Sequence, residues 1–253
     1  ERHGTSISLT PAGQTLYAKL LEAGQLQEEL HQELQQINEH FLPPTKLAVG
    51  SSTTISLYVL PPVLSAYLKR YTNIQINVLN RNSNNIQNAL LAHDIDVGIV
   101  EVMTRINTLT YTPFMTDDVL AVCSARSPLR NRTLTVADLP TIPLALRENG
   151  SGTLAVVEDA LNKQGLATAS LRILIRLGGT EALKNFVLAD TCLAFLPKRA
   201  ILKELVAGEL VEVPIQDLTL QRTFYFIQRK GTENNRLVSG FIQFALRYYS
   251  KRE

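Results

Sequence analysis

Residues 46–81 read KLAVGSSTTISLYVLPPVLSAYLKRYTNIQINVLNR, and the fold turns on how this stretch is divided. KLAVGSS reads as a strand, TISLYVLPPVLSAYLKRY as a helix and IQINVLNR as a second strand. A strand, a crossover helix and another strand make one right-handed β-α-β unit. The pattern continues, with SNNIQNALLAHD as a helix and IDVGIVE as a strand. A second series follows DVLAVCSA: the strand IPLALRE, the helix TLAVVEDALNKQ, the strand LRILIRL, the helix TEALKNFVLA and the strand CLAFLP. RTFYFIQRK adds a strand, and NNRLVSGFIQFALRYYSK closes the series as a helix with Leu237, Phe241, Phe244 and Tyr248 at helical spacing. Two such series predict an α/β fold of two lobes, each a mostly parallel sheet with helices on both faces, with a crevice between them.

Upstream of Pro43-Pro44 the pattern is different. From Thr10 to Phe41 the chain reads as one long helix, with Thr10 as its cap and Pro11 in the first turn, where proline is tolerated. Leu16, Leu20, Ala23, Gln27, Leu30, Leu34, Ile37 and Phe41 follow an alternating four-three spacing, with Gln27 in the one polar slot. That is a heptad seam, and at 1.5 Å per residue the helix spans roughly 45 Å. An amphipathic helix lying on its own domain would be shorter, so the seam points to pairing with a second chain. Gln27 would help fix the register.

The bulk properties exclude little beyond the extremes. The 253 residues are 45% hydrophobic and 19% charged with a formal net charge of +2, too small to mark the whole chain as a nucleic-acid or membrane binder. No apolar run is long enough for a transmembrane helix, and the first residues lack the apolar core of a signal peptide. Cys123 and Cys192 lie in apolar strands and fit buried thiols in a reducing compartment, which makes the cytoplasm the expected location.

Open α/β sheets bind ligands beyond the carboxyl ends of their strands. Four strand-to-helix junctions here are rich in hydroxyl and amide residues: Ser51-Ser52-Thr53-Thr54, Asn82-Ser83-Asn84, Asn149-Gly150-Ser151-Gly152-Thr153 and Gly178-Gly179-Thr180. Helix N-termini offer unpaired N–H groups and a partial positive charge that suit carboxylate, phosphate or sulfate. Any one junction is explained by helix capping alone. Four together, split between two lobes, point to a small-molecule crevice. Glu101 and Arg147, each at a strand end, would add charged selectivity or else stand as solvated rim residues.

Catalytic motifs are not found. His3, His31, His40 and His93 are scattered and have no cysteine or carboxylate cluster at metal spacing. Ser151 sits in NGSGT, which is not a nucleophile elbow, and there is no phosphate loop or dinucleotide fingerprint. Neither an enzyme nor a metal or cofactor site is expected.

From residue 2 to about 245 the chain resembles the LysR-type transcriptional regulators. The likeness is carried by Arg2 with Leu9-Thr10-Pro11-Ala12-Gly13, by Gly50-Ser51-Ser52 and Leu60-Pro61, and by Asp96-Val97-Gly98-Ile99. Ser151-Gly152-Thr153 and Leu196-Pro197 complete it. Each motif is loose by itself, while their order and spacing are specific. Thr72 stands where the family usually has proline, and Asp190 where glycine commonly precedes the strand.

The resemblance implies two Rossmann-like lobes like those of type 2 periplasmic binding proteins, preceded by a long linker helix. Residues 1–9 would be the end of a winged helix-turn-helix whose recognition helix lies outside this chain. Residues 10–42 would be the dimerisation helix, 45–120 and 223–250 lobe I, and 121–222 lobe II. An effector, expected to be anionic, would bind between the lobes at Ser52, Thr54, Asn82, Ser83, Glu101, Ser151, Gly152 and Thr180, with Ser51 and Arg147 at the same junctions. Arg2 and His3 would touch the DNA backbone weakly. The implied partners are promoter DNA, a second copy in a homodimer or tetramer, and RNA polymerase, with no membrane. A solute-binding receptor of the same fold without DNA binding is the rival reading, and an α/β enzyme using the crevice is a third.

Overall fold

The computed structural model describes residues 2–3, 6–7, 10–17, 19–20, 23, 26, 30, 44–101 and 105–250. They fall into two compact units, Glu1–Thr45 with Leu68–Gln75 and Lys46–Tyr67 with Ile76–Glu253. In the first, β1 (Arg2–His3) and β2 (Ser6–Ile7) pair antiparallel. Helix α1 follows over residues 11–17. Thr10 caps it as expected: its Oγ1 accepts from the Gly13 N–H at 3.0 Å, satisfying a donor that has no acceptor inside the helix. Residues 19, 20, 23, 26 and 30 are also helical. Leu16, Leu20 and Leu30 of the heptad seam are exposed, as is Ala23. Gln27, Leu34, Ile37 and Phe41, together with His31 and His40, lie outside the described residues, as do the side chains of Arg2 and His3.

Beyond residue 44 the chain continues with β3 (Thr45–Ser52), α2 (Thr53–Tyr58), α3 (Leu60–Arg70), β4 (Ile74–Arg81), α4 (Ser83–Leu91) and β5 (Val97–Glu101). Then come β6 (Leu109–Ser124), β7 (Leu144–Arg147), α5 (Gly152–Lys163), β8 (Ile173–Leu177), α6 (Thr180–Ala189) and β9 (Leu193–Pro197). It ends with α7 (Lys198–Ala207), β10 (Leu210–Glu212), β11 (Gln221–Arg229) and α8 (Arg236–Ser250). The strands order as β4-β3-β5-β11-β6-β9-β7-β8, with β10 also paired to β6.

The expectation of mostly parallel sheets is corrected here. β3 runs parallel to β5, and β7 to β8 and β9, but β11 is antiparallel to β5 and β6, and β6 is antiparallel to β9 and β10. The cause is β6, twice the length read from DVLAVCSA. Its residues 109–118 pair with β11 in one lobe, and from Val119 onward it pairs with β9 and β10 in the other. The long helix read over 54–71 is also two helices, broken at Val59. A continuous helix would set the rings of Pro61 and Pro62 against the carbonyls four residues back, whereas the first turn of a new helix accepts them.

Each lobe has its own core. In lobe I, Ile86 and Leu90 of α4 pack with Ile95, Val100 and Ile227. Gly98 makes this approach possible, because a Cβ there would lie 2.6 Å from Ile227. On the opposite side Tyr67 meets Phe241 edge-on, with ring centroids 5.3 Å apart. In lobe II, α5 packs Val157 and Leu161 on Leu144 and Phe195, while α6 and α7 cover Val122, Ala194 and Leu196 from the other face. The central strands β5 and β9 are buried along their whole length, as strands covered on both faces must be. Asp190 needs no glycine-like backbone: its φ is −115°, and its carboxylate accepts from the N–H groups of Thr191 and Cys192 at 2.7 and 2.9 Å. Cys123 and Cys192 are both buried and free. No helix among the described residues is long and apolar enough to cross a membrane.

Candidate functional site

The ends of β3, β4 and β7 deliver three of the four hydroxyl-rich junctions to one region of the second unit, where the end of β5 adds Glu101. Glu101, the last residue of β5, is 5% exposed, and one carboxylate oxygen accepts from Ser83 Oγ at 2.6 Å. The other is held by Arg222 Nη1. Gly152, the first residue of α5, sits against this carboxylate so closely that a Cβ would lie 2.6 Å from it. Glycine at this position is a packing requirement.

Arg222 of β11, 4% exposed, joins both lobes. Its Nη1 also donates to Thr153 Oγ1 of α5 at 2.8 Å, and its Nη2 to Thr54 Oγ1 of α2 at 3.0 Å. Nη2 and Nε reach Asp117 Oδ2 on β6 at 2.8 and 3.2 Å. All five guanidinium donors are thereby used. Burial pushes the Asp117 carboxyl above its usual range, and the charges of Arg222 and Arg199 offset this only in part. Arg199 Nε lies 3.2 Å from Asp117 Oδ1 but is misaligned for a hydrogen bond, so that pair is coulombic.

Arg147 and Glu101 are not the solvated rim residues that sequence alone allowed. Arg147 is 4% exposed, grips Glu148 through Nε and Nη2 at 2.7 and 2.9 Å, and donates from Nη1 to Thr180 Oγ1 at 2.8 Å. Burial opposes ionisation of Glu148, but the bonds and charge of Arg147 outweigh it and hold the carboxyl below its usual range.

Two spaces open among these groups. One is a gap of about 10 Å³ bordered by Ser52, Thr54, Asn82, Ser83, Glu101, Arg147, Ser151 and Gly152, close to the room a single water needs. The Ser52 hydroxyl there is buried and has no hydrogen-bond partner among the described residues. The other is a cleft of about 420 Å³ between the first turns of α4 and α5, walled by Ser83, Glu101, Gly150 and Ser151 and extending to Gln87 and Glu158. Its volume is that of a small-molecule pocket. The mouth is bridged from lobe to lobe: the Asn84 N–H donates to the Gly150 carbonyl at 3.3 Å, and Asn82 Nδ2 to the Asn149 carbonyl at 3.5 Å.

Eight of the ten residues expected at the effector site therefore border one of the two spaces. Ser51 and Thr180 border neither. Ser51 is fully buried with its hydroxyl on Ser56, and the Thr180 hydroxyl faces Arg147. Capping holds as well: Asn82 and Ser151 accept from the N–H groups of Asn85 and Leu154. Sequence reading missed Arg222 and Asp117. The signal available was a charged residue at the head of an apolar strand, RTFYFI, which looks like an ordinary strand start until its partners are known. Among the described residues no group of three His, Cys, Asp or Glu is placed to hold a metal ion.

Residues 42–250 match the LysR substrate binding domain. The chain belongs to this family. Among similar proteins, the HTH-type transcriptional regulator CysL of Bacillus subtilis is 26% identical over 93% of this chain and 78% of its own length. Among solved structures, the regulatory domain of CcmR from Synechocystis PCC6803, in complex with 2-PG, superposes with a TM-score of 0.72 at 20% identity. That match covers 81% of this chain and 97% of the other. The effector binding domain of QuiR in complex with shikimate gives 0.72 at 16%, over 82% and 98%. The LysR domain thus has the two-lobed mixed α/β fold of these neighbours, with its cleft where strand ends meet helix starts.

Proposed function

We propose that the protein is an effector-responsive transcriptional regulator of LysR type, in which a small metabolite bound between the lobes sets how the molecule engages promoter DNA. One observation carries this reading: junctions from both lobes converge on the Glu101–Arg222 cluster beside a 420 Å³ cleft. CysL is an HTH-type transcriptional regulator, and the two neighbours, a regulatory domain and an effector binding domain, hold 2-PG and shikimate. Such a protein acts by binding, and a ligand biases two arrangements only by its differential affinity for them.

The effector carries an anionic group. Its seat is the first turn of α5, where helix geometry leaves N–H groups without internal acceptors, on the wall of the cleft that Gly150, Ser151 and Gly152 form. Residues 45–120 and 223–250 form lobe I and 121–222 lobe II. The helix over 10–42 pairs two copies as a dimer, which can build to a tetramer, and a preceding winged helix-turn-helix contacts DNA with Arg2 and His3 near the backbone. RNA polymerase is the downstream partner, and the work on DNA places the protein in the cytoplasm. A thermal-shift screen with small carboxylates, phosphates and sulfate tests the reading, since a ligand bound only by the folded state raises the melting temperature. At least one anion is expected to raise Tm by several degrees. No shift with any anion overturns the anionic effector.

A further inference from the structure

We infer that the ligand of the 420 Å³ cleft carries a cationic amine beside its anionic group, so that the effector is a zwitterion of amino-acid type. This rests on the effector-site reading above and concerns what the rest of the cleft selects. The lining includes two carboxylates, Glu101 and Glu158, and no lysine or arginine. Glu158, half-buried on α5, has no ion pair among the described residues. The nearby Arg222 cannot serve a ligand anion, because its five donors are consumed by Glu101, Asp117, Thr54 and Thr153.

A second observation points to a ligand at the same wall. Gln87 is 8% exposed and borders the cleft, and its side-chain amide has no hydrogen-bond partner among the described residues. The amide is not among the atoms sealed from solvent without a partner, so it opens on the cleft and its hydrogen-bonding groups are available to a ligand there. Its carbonyl oxygen can accept from an ammonium, as the Glu158 carboxylate can. Ile106, Leu154 and Ala155 supply apolar surface for a short alkyl body between the two polar ends. A plain dicarboxylate would instead set a second negative charge against Glu158, a repulsion no basic lining residue relieves.

The test is calorimetric titration and thermal shift on the full chain with matched pairs. Alanine is set against propanoate, and 4-aminobutanoate, 5-aminopentanoate and 6-aminohexanoate against the plain acids of the same length. The inference expects at least one amino acid to bind ten-fold or more tighter than its matched acid. In Glu158→Gln that preference falls at least five-fold. Acids that bind as well as their amino partners overturn the amine and leave the anionic effector standing. A preference that survives intact in both Glu158→Gln and Gln87→Leu overturns the assigned wall. A panel in which nothing shifts Tm counts against the cleft as an effector site altogether.

Discussion

Arg222 is the side chain on which the site's geometry depends, and its removal strips buried Glu101 of its cation and leaves buried Asp117 with the coulombic pairing of Arg199 alone. Breaking a buried pair from one side costs about 3–5 kcal/mol. Arg222→Met is therefore expected to lower unfolding stability by about that amount in urea denaturation. In Glu101→Gln/Arg222→Met the loss should be smaller, because fewer charges are stranded. Glu148 provides a pH signature. Its folded pKa lies below its ordinary 4.5, so its contribution is fully present above that value and is lost as pH falls through the folded pKa. The stability gap between wild type and Glu148→Gln should accordingly be constant at pH 6–7 and shrink as the solution is taken below about pH 4. The hydroxyl and amide junctions were legible because strand-end chemistry is local in sequence. Arg222 was not, since its partners Thr54, Glu101, Asp117 and Thr153 are brought to it by four different elements.

Among the elements, α1 and the helical residues that follow it present Leu16, Leu20 and Leu30 at 57–61% exposure. Leucines that open are expected to be covered by another chain along a heptad seam. Leu16→Ser/Leu20→Ser should shift the protein toward the monomer in sedimentation velocity while leaving the melting of residues 46–250 unchanged. An unaltered sedimentation profile would remove the pairing role from this helix. The element boundaries show what periodicity can and cannot supply. TEALKNFVLA was read to the residue as α6, because its apolar spacing is uninterrupted and its cap is a glycine turn. The break at Val59 was invisible to periodicity, since the apolar spacing runs straight through it and only the proline pair tells against one helix. The first half of β6, LTYTPFMTD, was missed because Thr and Pro dilute its alternation, and its strand character comes from lying along β11.

At the scale of the molecule, the two lobes touch beyond the cleft as well. The Tyr58 hydroxyl of α2 donates to Glu181 of α6, and Glu181 shares Lys184 with Glu204 of α7 at 3.0 and 2.8 Å. Tyr58 borders neither space at the site, so Tyr58→Phe changes only how strongly the lobes hold this arrangement. If ligand selects that arrangement, its apparent affinity falls with the population of the competent state. A two- to ten-fold rise in Kd for whichever anion the thermal screen identifies is expected, and an unchanged Kd would uncouple lobe contact from binding. β6 has the opposite character to these polar contacts. A sixteen-residue ribbon laced into both sheets cannot release its backbone in one half while the other stays intact, so its amides should trade hydrogen for deuterium only when the whole domain opens. Those at Asn84 and around Gly150 should exchange far sooner, which makes the ribbon a spine that survives each cycle of the cleft unchanged.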